Sequence, residues 1–122
     1  MALILIVDDD AWYRTLLVQM LKKEGHATAE AADGVDAIAS MRRQRPDAVV
    51  MDMLMPNMDG ADAIVEMQKN GLDMPLIAMS GGRRTVTPEF NLESARLLGA
   101  AAGLTKPFTA AQLRSALAEA LG

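Results

Sequence analysis

The apolar positions of this chain form two alternating patterns, short continuous runs and longer stretches with helical spacing. Four of the runs have the length and composition of a buried parallel strand, and a fifth is shorter and more polar. The stretches between the runs carry apolar residues on one helical face, so the chain is predicted to be a βα repeat with a parallel sheet. The predicted strands cover residues 3–7, 28–31, 48–51, 76–79 and 101–105.

Capping residues, glycine and proline mark the predicted helix ends. The first helix is predicted over residues 11–24, with Asp10 as its N-cap and Gly25 closing it. Asp33 is the predicted N-cap of the second helix, and Gly60 opens the third. The other predicted boundaries are Pro46, Asn70 with Gly71, Thr87 with Pro88, Gly99, and a capping box of Thr109 and Gln112 that opens the fifth helix.

The order of the strands decides which strand ends meet. Right-handed crossovers between parallel strands leave few arrangements. A common arrangement is the doubly wound, flavodoxin-like order 2-1-3-4-5, in which ligands bind in the crevice between strands one and three. Because periodicity alone does not supply the order, we take as an assumption an α/β fold with this five-stranded parallel sheet and five helices.

Charged and polar residues follow four of the predicted strands. Asp8 and Asp9 come after the first strand, Asp52 after the third, Ser80 after the fourth and Lys106 after the fifth. The carboxyl ends of parallel strands lie at one edge of the sheet, so these side chains are expected to converge. Such a group could hold a hard divalent cation, keep one carboxylate as a nucleophile, and neutralise a phosphoryl group with the lysine.

Each of these residues also has a simpler explanation. Capping of the first helix needs one acid, which we assign to Asp10, and leaves Asp8 and Asp9 without a structural role. Asp52 lies between an apolar strand and an apolar loop, where a carboxylate without a partner would be costly. Ser80 alone would be a turn residue, and a lysine alone is usually solvated. Their position after strands is what favours a site.

Length, charge and composition limit the classes of protein and of partner that this sequence is compatible with. The chain has 122 residues, of which 51% are hydrophobic, and this predicts one domain over residues 1–122. With a net charge of −4, the chain lacks the excess of basic residues that is typical of a nucleic-acid binder, so no nucleic-acid partner is expected. Cysteine is absent, which excludes disulfides and thiol chemistry. With no targeting signal and no apolar stretch long enough to span a membrane, a cytoplasmic protein is expected.

Four segments together resemble a known family. ILIVDDD, VVMDMLMPNMDG, LIAMS and TKPF, in this order and at these separations, are similar to the receiver domain of bacterial two-component response regulators, the CheY-like family. The resemblance extends over essentially the whole chain. It implies a single receiver domain with no output domain in this sequence.

The resemblance implies roles for the acidic residues. Asp52 matches the phospho-acceptor, Asp9 the direct Mg²⁺ ligand, and Asp8 an acid that holds the metal largely through water. The backbone carbonyl of Leu54 matches a further metal ligand. Mg²⁺ is therefore the implied cofactor.

The resemblance also implies roles on the fourth and fifth strands. Ser80 matches the hydroxyl residue that bonds a phosphoryl oxygen, and Lys106 the lysine that pairs with the acceptor and then with the phosphoryl group. The bond from Lys106 to Pro107 resembles one that is cis in the family. Gly103 stands where most members have an aromatic residue, so the usual aromatic rotamer switch is not expected. Output is instead expected through the loop after Ser80, whose tip carries Arg83 and Arg84.

The implied function is a phosphorylation-activated switch in a phosphorelay. A sensor histidine kinase or a histidine phosphotransfer protein would supply the phosphoryl group, and the readout would go to a downstream protein that the sequence does not name. The domain would catalyse only its own phosphorylation and dephosphorylation, and would not be an enzyme in the ordinary sense.

Two alternatives remain at this point. One is a receiver fold that binds a partner without phosphorylation, which predicts no acyl phosphate. The other is a small haloacid-dehalogenase-type phosphatase, with Asp8 as nucleophile and Asp10 as general acid, which predicts turnover of phosphate esters. The chain is short for that family, and Ala11 and Trp12 depart from its pattern.

Overall fold

The computed structural model describes residues 1–55, 57–81 and 88–122, with side chains except at 88–91. Strands and helices alternate along these residues, as the βα repeat predicts. The strands are β1 (Leu3–Val7), β2 (Ala27–Ala31), β3 (Ala48–Asp52), β4 (Leu76–Ser80) and β5 (Ala102–Thr105). The helices are α1 (Ala11–Lys23), α2 (Gly34–Arg43), α3 (Gly60–Lys69), α4 (Pro88–Leu97) and α5 (Ala110–Leu121).

The strands form one parallel sheet in the order β2-β1-β3-β4-β5, which confirms the assumed order. Val7 pairs with Met51, and Ser80 pairs with Thr105, so the carboxyl ends of the strands lie along one edge. Asp52 is the last residue of β3 and Ser80 is the last residue of β4. The sequence placed both at the start of the following loops, so each strand is one residue longer than predicted. Both strands are longer because the ladder of hydrogen bonds continues, with the Met53 amide donating to the Met79 carbonyl at 2.9 Å.

Two apolar clusters fill the space on the two faces of the sheet. Successive residues of a strand point to opposite faces, and Leu5 and Val7 belong to one cluster while Ile4 and Ile6 belong to the other. The first cluster packs under α2, α3 and α4, and the second under α1 and α5. Because both faces of β1 are covered, its sequence is a continuous apolar run rather than an alternating one.

The predicted caps are largely confirmed. The Asp10 side chain accepts hydrogen bonds from the amides of Trp12 and Tyr13, at 3.0 and 3.2 Å. The Asp33 side chain accepts from the Asp36 amide at 2.8 Å. Both halves of the capping box of Thr109 and Gln112 are present. The predicted cap at Thr87 lies outside the described residues, as do Arg83 and Arg84.

Gly60 allows α3 to begin directly against the strand that carries Asp52. A Cβ at this position would lie 2.7 Å from the Met53 Cα and 3.0 Å from the Asp52 carbonyl oxygen. Backbone atoms cannot swing aside as a side-chain tip can. We therefore expect Gly60→Ala to lower the free energy of unfolding by roughly 2 kcal/mol or more, the cost typical of overpacking, as measured by urea denaturation.

Gly25→Ala is the control for this substitution. Gly25 has a φ of +85° and nothing within 4 Å of an added Cβ, so alanine there meets only the backbone penalty of roughly 1 kcal/mol. A Gly60→Ala variant that is no less stable than the wild type would show that the clash is relieved without cost, and one that loses no more than Gly25→Ala would contradict the expected size of the effect.

Among the helices of the described residues, none combines the length and the apolar composition that crossing a bilayer requires.

Candidate functional site

Three carboxylates meet at the carboxyl edge of the sheet, where β1 and β3 end side by side. Asp8, Asp9 and Asp52 each place a carboxylate oxygen within 4.8 Å of the others. Asp8 is fully buried and Asp52 is 3% exposed. Like charges held this close in a buried site repel one another, so the cluster needs a positive partner.

Lys106 supplies one such partner from the segment after β5. Its Nζ lies 2.6 Å from Asp8 Oδ2 and 3.0 Å from Asp52 Oδ2. Burial opposes the charge of the ammonium, but the hydrogen bond to Asp8 and the negative charge of Asp52 outweigh it and raise the pKa of Lys106. Burial also raises the pKa of Asp8, against the lowering effect of the Lys106 hydrogen bond. The lysine therefore stays charged and bridges the two buried acids.

Backbone amides fix the other oxygens of these two acids. Asp8 Oδ1 accepts from the Asp10 amide at 2.9 Å, and Asp52 Oδ1 accepts from the Leu54 amide at 2.9 Å. Asp9 differs, because its Oδ1 is buried and has no hydrogen-bond partner among the described residues. A buried carboxylate oxygen without a donor is costly unless a cation pairs with it. The donor set consists of oxygens, which fits a hard divalent cation such as Mg²⁺.

Ser80 lies at the same edge, at the end of β4. It is fully buried, and its carbonyl accepts the Lys106 amide at 2.8 Å. That hydrogen bond ties the backbone of the lysine to the strand that carries the hydroxyl. The structure thus brings the predicted site residues of four strands to one edge, as the sequence led us to expect.

Two residues at the start of α1 also contact the site, and neither of them was predicted from the sequence to have a role there. The Lys106 Nζ lies over the ring of Tyr13, 4.5 Å from its centroid. Arg14 Nη1 donates to the Asp8 carbonyl at 2.7 Å, and its Nε donates to Glu30 Oε1 at 3.2 Å. Their nearness in sequence to the acids is a weak signal, because the rotation of α1 on the sheet decides where each side chain points.

Two further positions, Trp12 and Gly103, belong to the surroundings of the site. Trp12 is 71% exposed in the first turn of α1, the helix that begins after the acids that follow β1. On β5, a Cβ at Gly103 would lie 3.1 Å from Leu92 Cδ2, so a leucine of α4 packs directly over the strand. The sequence has glycine rather than an aromatic residue at position 103, and Leu92 occupies the space next to it on the strand.

The fold and this cluster of acids define the class of the protein. Residues 4–118 match the response regulator receiver domain family, and the chain belongs to it. Response regulators partner with histidine kinases, and their receiver domains generally bind Mg²⁺ at an acidic pocket, which here corresponds to the three aspartates. The assignment confirms the predicted resemblance and separates the chain from the haloacid dehalogenases.

Three relatives show the range of proteins that contain this domain. Sporulation initiation phosphotransferase F of Bacillus subtilis is 35% identical over 115 residues, which cover 93% of this chain and 89% of the relative. Response regulator MprA of Mycobacterium leprae is 36% identical over 90% of this chain and 46% of the relative. DNA-binding response regulator MtrA of the same species is 34% identical over 90% of this chain and 47% of the relative. The chain thus spans about half the length of the two mycobacterial relatives.

Solved structures agree with the fold. The receiver domain of NtrX from Brucella abortus superposes with a TM-score of 0.88 at 31% identity, over 97% of each chain. Chemotaxis protein CheY4 of Vibrio cholerae superposes with a TM-score of 0.83 at 30% identity, over 99% of each chain. These structures confirm the flavodoxin-like, CheY-like architecture predicted from the sequence.

Proposed function

We propose that this domain is a signalling switch that accepts a phosphoryl group on Asp52. The donor is a phosphohistidine of a sensor histidine kinase or of a histidine phosphotransfer protein. The observation that supports the proposal is the position of Asp52, a buried carboxylate that is paired with Lys106 and flanked by two further acids. A group of this kind is suited to a single covalent step at one oxygen.

The proposed step is a phosphoryl transfer. A carboxylate oxygen of Asp52 attacks phosphorus, the bond from phosphorus to the histidine nitrogen breaks, and the imidazole keeps the electron pair and takes up a proton. Catalysis of such a transfer is mostly positioning and charge neutralisation. Lys106 provides one positive charge beside the acceptor, and the amide of Leu54 holds the other Asp52 oxygen in place. Hydrolysis of the resulting acyl phosphate would reset the domain, so the domain would catalyse only its own modification and demodification.

Mg²⁺ belongs to the same proposal. Asp9 would bind it directly, Asp8 largely through water, and Asp52 and the Leu54 carbonyl would complete the protein ligands. When bound, the cation would neutralise negative charge on the phosphoryl oxygens. The buried Asp9 oxygen that lacks a donor supports this assignment.

The readout of the switch is proposed to be a shift between two conformations. The Ser80 hydroxyl would bond the new phosphoryl oxygen, and Lys106 would pair with the phosphoryl group, so that the loop after β4 and the surface of α4, β5 and α5 change. A protein partner would then read that surface. The MtrA relative is named as DNA-binding, but this acidic domain spans about half of that protein, and we propose neither a nucleic-acid nor a membrane partner for it. Its proposed place is the cytoplasm, where ATP-dependent kinases generate phosphohistidine.

Intact mass tests the proposal. After incubation with a small phosphodonor and Mg²⁺, the protein should gain one phosphoryl unit, and a chelator should prevent the gain. A protein that gains nothing under these conditions, yet binds partners, would instead be the unphosphorylated interaction module. Turnover of simple phosphate esters would point to a phosphatase.

Mg²⁺ should also stabilise the fold. The three acids repel one another, and a ligand that binds only the folded state raises its stability by mass action. At about ten times its dissociation constant, Mg²⁺ would add roughly 1.4 kcal/mol, which corresponds to a rise of several degrees in the melting temperature. Thermal unfolding followed by circular dichroism, with and without millimolar Mg²⁺, measures this rise.

Asp9→Ala should remove the response to Mg²⁺. Asp73→Ala is the matched control, because Asp73 is an exposed acid paired with Arg45 and lies outside the cluster. The control should melt at a higher temperature with Mg²⁺, as the wild type does. A full Mg²⁺ response in Asp9→Ala would rule out Asp9 as a ligand.

A further inference from the structure

The ring of Tyr13 forms one side of the space that holds the Lys106 ammonium. The Nζ of Lys106 lies 4.5 Å from the ring centroid, and the two carboxylate contacts of the same nitrogen lie at 2.6 and 3.0 Å. The ammonium is therefore held by two acids and an aromatic face. A cation over the face of an aromatic ring is attracted by the ring quadrupole, most strongly when water is excluded.

The ring itself is buried and packed against a second ring. Tyr13 is 8% exposed, and its ring meets that of Phe108 edge to face, with centroids 5.8 Å apart and planes at 84°. Phe108 follows Lys106 by two residues, so the segment that carries the lysine also supports the ring beneath it. A lysine side chain has four rotatable bonds, and a fixed surface beside its end reduces the positions it can adopt.

We propose that the aromatic face of Tyr13 is a positioning element for Lys106, which keeps the ammonium between Asp8 and Asp52 where the incoming phosphoryl group is neutralised. The effect on phosphorylation rests on the proposed function. The contact between ring and ammonium does not depend on it.

The ring of Tyr13, and not its hydroxyl, makes the contact with the Lys106 ammonium. Burial raises the pKa of the hydroxyl, and the charge of Lys106 lowers it only in part, so the side chain is a neutral phenol. The Oη is buried, and among the described residues none makes a hydrogen bond of ordinary geometry with it, although the Phe108 backbone is near enough to affect its pKa. Phenylalanine at this position should therefore keep the function.

Two substitutions separate the ring from the hydroxyl. Tyr13→Phe should be phosphorylated by a small phosphodonor at a rate within about twofold of the wild type, because the cation–π contact remains. Tyr13→Leu should be roughly tenfold slower, since a desolvated contact of this type is lost. Tyr13→Met, whose flexible side chain fills irregular space, serves as a second aliphatic variant should Tyr13→Leu fold poorly. A Tyr13→Phe variant as slow as Tyr13→Leu would overturn the role of the ring.

A nuclear magnetic resonance signature tests the contact without phosphorylation. The ε-methylene protons of Lys106, assigned by their absence in Lys106→Arg, should be shifted upfield by the ring current in the wild type and in Tyr13→Phe. In the aliphatic variants they should return to ordinary lysine values. An ordinary shift in the wild type would overturn the proposal, whether or not Asp52 is ever phosphorylated.

A double mutant separates positioning from a general effect on folding. In a Lys106→Met background, Tyr13→Leu should slow the residual phosphorylation by less than about twofold, because there is no ammonium left to place. A further tenfold loss would show that Tyr13 acts through the packing of α1 and would overturn the positioning role. If the wild type takes up no phosphoryl group, the proposed function fails, and the ring-current shift alone decides the contact.

Discussion

Asp52→Asn is expected to abolish phosphoryl uptake completely. The amide retains the shape of the carboxylate and can still accept the Leu54 amide, but it lacks the anionic oxygen that attacks phosphorus. Asp52 is the clustered acid at the end of β3, and its two oxygens are held by Lys106 and by the Leu54 amide, as those of Asp8 are held by Lys106 and the Asp10 amide. After incubation with a small phosphodonor and Mg²⁺, intact mass should show no added phosphoryl unit.

Asp10→Asn is the matched control for this substitution. Asp10 directly follows Asp9, and its side chain caps α1, a role that asparagine performs equally well. This variant should gain one phosphoryl unit at a rate close to that of the wild type. A mass gain in Asp52→Asn would instead assign the acceptor to another residue.

Of the substitutions described, Lys106→Met is expected to lower the free energy of unfolding most in the absence of metal. The substitution removes the ammonium that bridges two buried carboxylates, at 2.6 and 3.0 Å, and leaves their charges without that partner. Loss of one partner of a buried ion pair costs roughly 3–5 kcal/mol. Urea denaturation in the presence of a chelator measures the loss. Phosphoryl uptake should also slow, because the acceptor loses its neighbouring charge.

Two comparisons make this prediction specific. Arg45→Met breaks an exposed ion pair with Asp73, and it should cost less than about 1 kcal/mol. Mg²⁺ should stabilise Lys106→Met by more than it stabilises the wild type, because the cation then supplies charge that the lysine no longer provides. A stability loss in Lys106→Met no greater than that in Arg45→Met would contradict the bridging role.

Alkaline pH should reproduce part of the stability loss that is expected for Lys106→Met. The pKa of Lys106 is raised above its ordinary value of 10.5 in the folded protein, so its contribution to stability is complete below that pH. As the pH rises further, the unfolded chain loses the proton before the folded one, and the contribution disappears when the pH passes the folded pKa. The wild type should therefore lose more stability than Lys106→Met as the pH is raised above 10.5.

The sequence was sufficient to predict where most of the candidate site residues lie. Asp8, Asp9, Asp52 and Lys106 each follow or end a strand that is recognisable from its apolar run, and parallel strands place such residues at one edge. The strand order was required to bring Asp8 beside Asp52, and it had to be assumed. The structure supplies it, with β1 and β3 as neighbours.

The contacts of α1 with the site could not be predicted from the sequence. The helical pattern places Tyr13 on the apolar face of the helix, and it does lie in the apolar cluster beneath α1. Whether that face puts its ring under Lys106 depends on the rotation and tilt of the helix on the sheet, which the packing of Leu17, Leu21 and Phe108 decides. The bridge that Arg14 makes to Asp8 and Glu30 depends on the same rotation.

Gly103 illustrates a different limit. Its identity alone removes the aromatic rotamer switch, so that much follows from the sequence. That Leu92 of α4 lies close enough to touch an added Cβ depends on how the helix sits on β5, and no pattern in the sequence specifies this. Expectations for the loop that carries Arg83 and Arg84 concern residues outside those described, and they stay predictions.

Trp12 gives the protein a built-in optical probe. It is the sole tryptophan of the chain, and it lies in the first turn of α1, at the end where the acids cluster. Because the indole is already 71% exposed, unfolding should change its emission little. A change in its fluorescence on addition of a cation or a phosphodonor would therefore come from the charges beside it rather than from loss of the fold, so that occupancy of the site could be followed in real time.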